Sequence, residues 1–481
     1  MSHPGSPPRF SVSSPTIDGS AVAGDGSFDV INPATGQAFL TAPTTSPALL
    51  DTAFQAAVRA FRPWSSDEDA RRAALRRAAD VLAADEDIAA LLTMEQGKPL
   101  EQARMEVQGT AGWLRYYADL EVGREVIQED DSTRVEVVRR PLGPVAVITP
   151  WNYPLFLAAA KIGPALRAGN TVVLKPSPYT PLTSLRLGEI LRDVFPPGVF
   201  NVVNGGDELG AAMSAHPLAR KITFTGSTAV GKKIAAAAAP DLKRLTLELG
   251  GNDPAIVLDD ADIESTARAL FERGFINNGQ SCIAPKRVYA ARSVLPRLAD
   301  ALAELARGAK VGDGMLPGTE LGPLNNRAQV ERVTDLVSDA IAHGATPLAG
   351  GSRIEGPGFF FAPTILTGVD DGVRIVDEEQ FGPVLPLVAY GDVDEAVARA
   401  NATQFGLGAS VWGTDTDRAA TVAEQLDAGM VWINGHTEVA YHFPFPGAKW
   451  SALGVEGGRW GLEAFSELTL LHRRKAPARR A

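Results

Sequence analysis

From Pro144 onward the chain keeps one rhythm, and that rhythm restricts the folds open to it more than any other feature. Short apolar runs at Val145 to Thr149, Thr171 to Leu174, Phe200 to Val203, Ile222 to Phe224 and Leu245 to Leu247 alternate with longer helical segments. Runs this apolar have no polar face to offer water, so they predict strands of a parallel sheet covered on both sides. Such a βαβ series gathers ligand sites beyond the carboxyl ends of its strands.

A second series follows, with strands expected at Ala255 to Leu258, Lys286 to Ala290, Phe360 to Ile365 and Val384 to Ala389. Before both, Leu49 to about Leu120 carries apolar residues at helical spacing, Asp67 to Asp85 most clearly, and reads as a helical layer. Thr133 to Val138 alternates polar and β-branched residues, which suits an exposed arm or edge strand. At 481 residues the chain exceeds the usual size of one hydrophobic core. The expected fold class is therefore α/β with two cores. Met1 to Ser20, rich in Ser and Pro, is expected to be a mobile arm.

Composition narrows the partners. A net charge of -11 repels nucleic acid, and the basic run from His472 to Arg480 reads as a solvated tail. No apolar run approaches the ~20 residues that span a bilayer, so no membrane partner is expected. A single cysteine permits no internal disulfide, which suits the cytoplasm. The six histidines show no ligand spacing, and no metal is expected.

That cysteine, Cys282, follows a predicted helix in Asn277-Asn278-Gly279-Gln280-Ser281-Cys282, and Pro285 keeps a helix from resuming, so it lies on a loop. It is either a small buried hydrophobe or a nucleophile. Glu248, at the carboxyl end of a predicted strand, is either a surface acid or the base such a thiol needs. Asn152 sits between Pro150 and Pro154 immediately after a strand. It either organises the loop as an Asx-turn or presents a rigid amide to a developing oxyanion.

Thr225-Gly226-Ser227-Thr228-Ala229-Val230-Gly231-Lys232-Lys233 joins a strand to a helix through small residues, where free backbone N–H groups can take a pyrophosphate. It nearly matches a nucleoside-triphosphate loop, but Lys233 stands where that motif requires a hydroxyl. Lys175 and Glu379 are ordinary surface charges or partners of two ribose rings.

Taken together, these segments resemble the aldehyde dehydrogenase superfamily over nearly the whole chain. The resemblance rests on PWNYP at 150 to 154, FTGS at 224 to 227, LELGG at 247 to 251, GQSC at 279 to 282 and EEQFGPV at 378 to 384, in that order. It implies an aldehyde dehydrogenase-like α/β fold with a Rossmann-type cofactor domain, an α/β catalytic domain and a small oligomerisation arm. The implied divisions are 21–124 and 140–249 for the dinucleotide, 250–445 for catalysis, and 125–139 with 446–481 for assembly as a homodimer or homotetramer. It implies Cys282 as nucleophile, Glu248 as base and Asn152 as oxyanion donor, turning an aldehyde into a carboxylic acid with NAD or NADP. Thr149, Pro150, Trp151, Lys175, Ser177, Gly205, Gly226, Ser227, Gly231, Leu249, Glu379 and Phe381 are the implied cofactor contacts.

Acyl transfer to coenzyme A and a non-catalytic protein of the same fold are the alternatives; the presence of Glu248 favours hydrolysis over the first. The chain departs from the family at Pro446 and Ala452, where glycines are common and φ is freer. Pro178 replaces a glutamate found in many NAD-preferring members, which leaves NADP open, with NAD slightly favoured. Phe156 and the aromatic-rich stretch from His436 to Phe445 are expected to line the substrate tunnel and suit an apolar or aromatic aldehyde.

Overall fold

The computed structural model describes residues 10–121 and 123–475. The βαβ series forms the centre of an eight-stranded sheet, in which Phe200–Val202, Thr171–Lys175, Pro144–Ile148, Lys221–Thr225 and Arg244–Glu248 lie side by side and parallel. The middle three of these strands are buried along their whole length, as their lack of a polar face requires. The strand order reverses at Pro144–Ile148, which has Thr171–Lys175 on one side and Lys221–Thr225 on the other. In an open α/β sheet, such a reversal opens a crevice beyond the carboxyl ends.

The second series forms a seven-stranded sheet with Pro285–Ala291 and Asp253–Val257 near its middle and Met430–Ile433 at one edge. Only Leu249 to Asn252 separate Glu248, the last residue of a strand in the first sheet, from Asp253, the first residue of a strand in the second. The carboxyl ends of the first sheet therefore face the amino ends of the second. Each sheet has its own apolar core: Ile256, Val288, Leu298, Val333 and Leu387 are among those packed around the second, and Val147, Leu155, Val172 and Leu185 among those around the first. The helical layer consists of Pro47–Ser66, Glu68–Ala83, Ile88–Gln96 and Leu100–Asp119.

Some expectations change. Of the arm expected over residues 1–20, residues 1–9 lie outside the described residues. Thr16–Ile17 is not mobile chain but a buried strand, antiparallel to Phe200–Val202. The strand expected at Phe360 to Ile365 is shifted to Thr364–Thr367. Of the stretch 446–481 assigned to the arm, the part up to Glu456 pairs elsewhere. Ala452–Leu453 joins the first sheet antiparallel to Leu247–Glu248, and Val455–Glu456 pairs with Phe445–Pro446.

The strand expected at Thr133 to Val138 runs on to Pro141, between Ser466–Arg474 and Glu125–Glu129 in a separate three-stranded sheet. Its outer strands expose Ile127, Leu468 and Leu470, each about 60% accessible. Of the basic tail, His472 to Arg474 belong to this sheet, and the residues after Lys475 lie outside the described residues. No helix among the described residues is long and apolar enough to cross a membrane.

Candidate functional site

Five chain segments meet between the two sheets, three leaving adjacent strands of the first and two entering strands of the second. Pro150, Trp151, Asn152, Thr225, Gly226, Ser227, Leu249, Gly250, Cys282, Glu379 and Phe381 line one cleft of about 540 Å³. Thr149, Gly205 and Gly231 do not line it. Gly231 packs the helix Thr228–Ala238 onto a strand end, where a Cβ would lie 2.5 Å from Leu249, and Gly205 packs against Leu209. Lys175 and Ser177 leave the neighbouring strand. Lys175 donates from Nζ to the carbonyl of Pro176 at 3.1 Å, and burial pulls its ammonium down to about 8 against the opposing charge of Asp207.

Cys282 is delivered by a strained loop. Asn277 and Asn278 are both buried with φ of 51° and 55°, and Gly279 follows at 74°. Left-handed backbone at two successive non-glycine residues costs of order 1–3 kcal/mol each and persists only where the surroundings impose it. Gly279 is obligatory, because a Cβ there would lie 2.2 Å from the carbonyl oxygen of Gly382. Gln280 binds the loop from within: its amide donates to Asn277 O at 2.8 Å, and its Oε1 accepts from the Asn325 N–H at 2.8 Å.

Cys282 as a residue is half-buried and lines the cleft. Burial pushes its thiol up to about 12; the Lys286 ammonium opposes that, while Glu379, Asp253 and Glu248 add to it. Lys286 donates to the carbonyls of Ser281 at 2.6 Å and Cys282 at 2.9 Å. Its ammonium also lies 3.6 Å from Glu379. Glu379, raised to about 7 mainly by burial, accepts from the Gly251 N–H at 3.2 Å.

Glu248 is 3% exposed, and among the described residues neither carboxylate oxygen has a hydrogen-bond partner. Burial raises its pKa well above the ordinary carboxylate value, with the Glu456 charge adding and Lys161 opposing. A buried carboxylate without partners is costly, so such groups cluster where a proton must be taken or given. Asn152 is held on both sides: its side-chain N–H donates to the Gln280 carbonyl at 3.0 Å, and its own carbonyl accepts from Asn277 at 3.0 Å. Among the described residues, the second N–H of that amide has no partner.

The helix Thr228–Ala238 starts at the cleft. Ser227 caps it by accepting from the Val230 N–H at 3.3 Å, and no acidic residue occupies its first turn. The Thr225 hydroxyl is buried, with no partner among the described residues. Free N–H groups, the positive end of a helix and an orphan hydroxyl suit a phosphate ester.

Sequence reasoning missed Lys286, whose spacing from Cys282 was the available signal. It also missed Gln329, Arg332 and Phe405, which reach the cleft from remote segments with no local pattern. His436 does not line a tunnel: it is fully buried, with Nδ1 2.8 Å from the Ser410 hydroxyl. Phe156 stacks edgewise on Trp113 at 5.8 Å between centroids, and Trp113 on Tyr441 at 5.0 Å, beside the helix that begins just after Asn152. The two departures lie in strand pairs, and Ala452 is directly opposite Glu248.

Residues 21–471 match the model of the aldehyde dehydrogenase family. The chain is 40% identical to a 3-sulfolactaldehyde dehydrogenase of Pseudomonas putida, over 94% of this chain and 95% of that protein. It is 41% identical to the mitochondrial succinate-semialdehyde dehydrogenase of Arabidopsis thaliana, over 91% and 84% respectively. Among solved structures, the NAD+ complex of an aldehyde dehydrogenase from Bacillus cereus superposes with a TM-score of 0.94 at 35% identity, covering 96% of this chain and 97% of the other.

Proposed function

The chain belongs to the aldehyde dehydrogenase family and is an NAD(P)-dependent oxidoreductase; from that premise we propose that it oxidises an apolar or aromatic aldehyde to the acid, with Cys282, Glu248 and Asn152 as the reacting groups. The observation that carries this reading is the single cleft lined by Cys282, Asn152 and the start of the helix Thr228–Ala238.

The Cys282 sulfur, as thiolate, attacks the aldehyde carbon. The carbonyl oxygen becomes an alkoxide, stabilised by the free N–H of Asn152 and the backbone N–H of Cys282. A bound nicotinamide dinucleotide supplies the hydride acceptor. Collapse of the alkoxide leaves a thioester on Cys282. Glu248 then takes a proton from water, whose oxygen attacks the thioester carbon and releases the acid and the thiolate. The free oxygens of Glu248 support hydrolysis over transfer to coenzyme A.

Trp151, Gly226, Ser227, Leu249, Glu379 and Phe381 would hold the dinucleotide, together with Pro150 and Thr225. Lys175 and Ser177 would take the adenosine ribose. The negative charge of Asp207 beside Lys175 supports NAD over a 2′-phosphorylated cofactor. Residues 21–124 and 140–249 would form the dinucleotide domain and 250–445 the catalytic one. The exposed apolar residues of the three-stranded sheet support a homodimer or homotetramer. The single cysteine supports a cytoplasmic setting.

The cluster of Trp113, Tyr116, Phe156 and Tyr441 supports the substrate class, since the nearby cation Arg115 is already paired with Asp80 at 3.0 Å. Benzaldehyde or hexanal is expected to exceed succinate semialdehyde in kcat/KM by at least about tenfold, because a carboxylate tail would be desolvated without a partner. Absorbance at 340 nm with both cofactors gives the ratio, and a preference for the semialdehyde would refute the class. Acid formed equally with and without coenzyme A is the expected outcome. Strict dependence on that thiol would reassign the reaction, and silence with every pairing would favour a non-catalytic protein.

Turnover is also expected to climb with pH. Cys282 and Glu248 both act deprotonated, and burial raises both, so each working fraction falls about tenfold per pH unit below its pKa. Profiles of kcat/KM, which reports the Cys282 step, and of kcat, which includes the Glu248 step, both rising between about pH 6 and 8 are the results to look for; a flat or falling limb there would contradict them.

A further inference from the structure

Asn152 rests on a buried ion pair that none of the chemistry above uses. Lys98 follows the helix Ile88–Gln96, and Glu106 lies in the next helix, Leu100–Asp119; their side chains are 0% and 1% exposed. The Lys98 ammonium donates to Glu106 Oε2 at 2.5 Å and to the Asn152 carbonyl at 2.9 Å. It also sits 3.8 Å from the centre of the Tyr153 ring.

The other oxygen of Glu106 accepts the backbone N–H groups of Leu155 at 3.0 Å and Phe156 at 3.2 Å. These open the helix Pro154–Arg167, whose preceding residue, Tyr153, supplies no side-chain cap. One carboxylate therefore replaces the missing cap, and one ammonium grips the residue two places before the helix. Two charges taken wholly out of water are a poor device for stability, since an apolar pair would avoid the desolvation cost. Their directional bonds instead fix the chain on both sides of Tyr153.

We propose that Lys98, with Glu106, is a positioning residue for the oxidation, holding the main chain of Asn152 so that its free amide N–H faces the cleft before an aldehyde arrives. The inference rests on the reading of Asn152 as oxyanion donor. With the Asn152 carbonyl held by Lys98 and Asn277 and its side chain by Gln280, both ends of the residue are anchored. A donor fixed in advance needs no reorganisation as charge develops.

A double-mutant cycle tests this. The variants are Asn152→Ala, the neutral pair Lys98→Met/Glu106→Gln, and all three changes together; glutamine keeps an acceptor for Leu155 and Phe156. For each, the pre-steady-state rate of the first step, KM and NAD affinity are measured with benzaldehyde. Asn152→Ala is expected to slow the first step by about 10²–10³-fold. The neutral pair should slow it by roughly 10–100-fold, with KM and NAD affinity changed less than about threefold. The triple variant should be no slower than Asn152→Ala. Losses that multiply in the triple variant would overturn the positioning role while leaving Asn152 as donor. No loss in Asn152→Ala would overturn both. Should the neutral pair fail to accumulate, the same cycle run with Lys98→Arg, which keeps the charge on a differently shaped head, reads the same coupling.

Discussion

Alanine at position 282 is expected to abolish aldehyde-dependent absorbance at 340 nm, a loss of ~10⁴-fold or more, while NAD still binds within about twofold of the native affinity. The sulfur makes and breaks the bonds to the aldehyde carbon. The helix start at Ser227 and the Thr225 hydroxyl belong to the first sheet, and the substitution leaves them untouched. Alanine also asks nothing of the loop, whose strained residues are Asn277 and Asn278 rather than Cys282. Residual turnover in this variant would remove Cys282 from the chemistry. Loss of NAD binding would show that the loop itself had collapsed.

The second large effect is expected from Glu248→Gln. A rapid burst equivalent to one turnover per site should survive, followed by a steady state slower by about 10²–10⁴-fold. The amide occupies nearly the same volume but cannot take a proton from water. Stability should move the other way with pH. The folded pKa of Glu248 lies above its unfolded value, so its protonated form favours the folded state at low pH, and that advantage is lost as pH rises through the folded pKa. Glutamine does not titrate, so the variant's Tm should decline less toward alkaline pH than the native protein's. Equal slowing of burst and steady state would leave Glu248 without a separate role in the second half of the reaction.

The sheets were legible because their central strands are buried on both faces and so must be written as unbroken apolar runs. Pro144–Ile148 and Lys221–Thr225 lie within a residue or so of where those runs are found. Pairing across long separations left no such trace. Nothing local in Ala452–Leu453 announces a partner at Leu247–Glu248, and two-residue strands such as Thr16–Ile17 are too short to carry a period. The cleft was legible where its residues follow the end of a strand, as Asn152 and Gly226 do; Glu248 also ends a strand but lies behind the lining, next to Leu249.

It was illegible where charges go inside. Lys98, Glu106 and Lys286 are 5% exposed or less, yet lysine and glutamate in a sequence read as surface residues. Only their partners in the folded chain, Glu106 for Lys98 and Glu379 with two backbone carbonyls for Lys286, make their burial tolerable. Gly205, a cofactor contact implied by the family resemblance, has the side chain of Leu209 as its close neighbour.

The first sheet takes in almost the whole length of the chain, from Thr16 near one end to Leu453 near the other. During synthesis, Cys282, Asn152 and Glu248 are all made well before the strand that flanks Glu248. A growing polypeptide released through residue 451 holds every reacting group and still lacks that neighbour. A stop at that point would yield a protein with all three reacting groups and an open sheet edge beside Glu248.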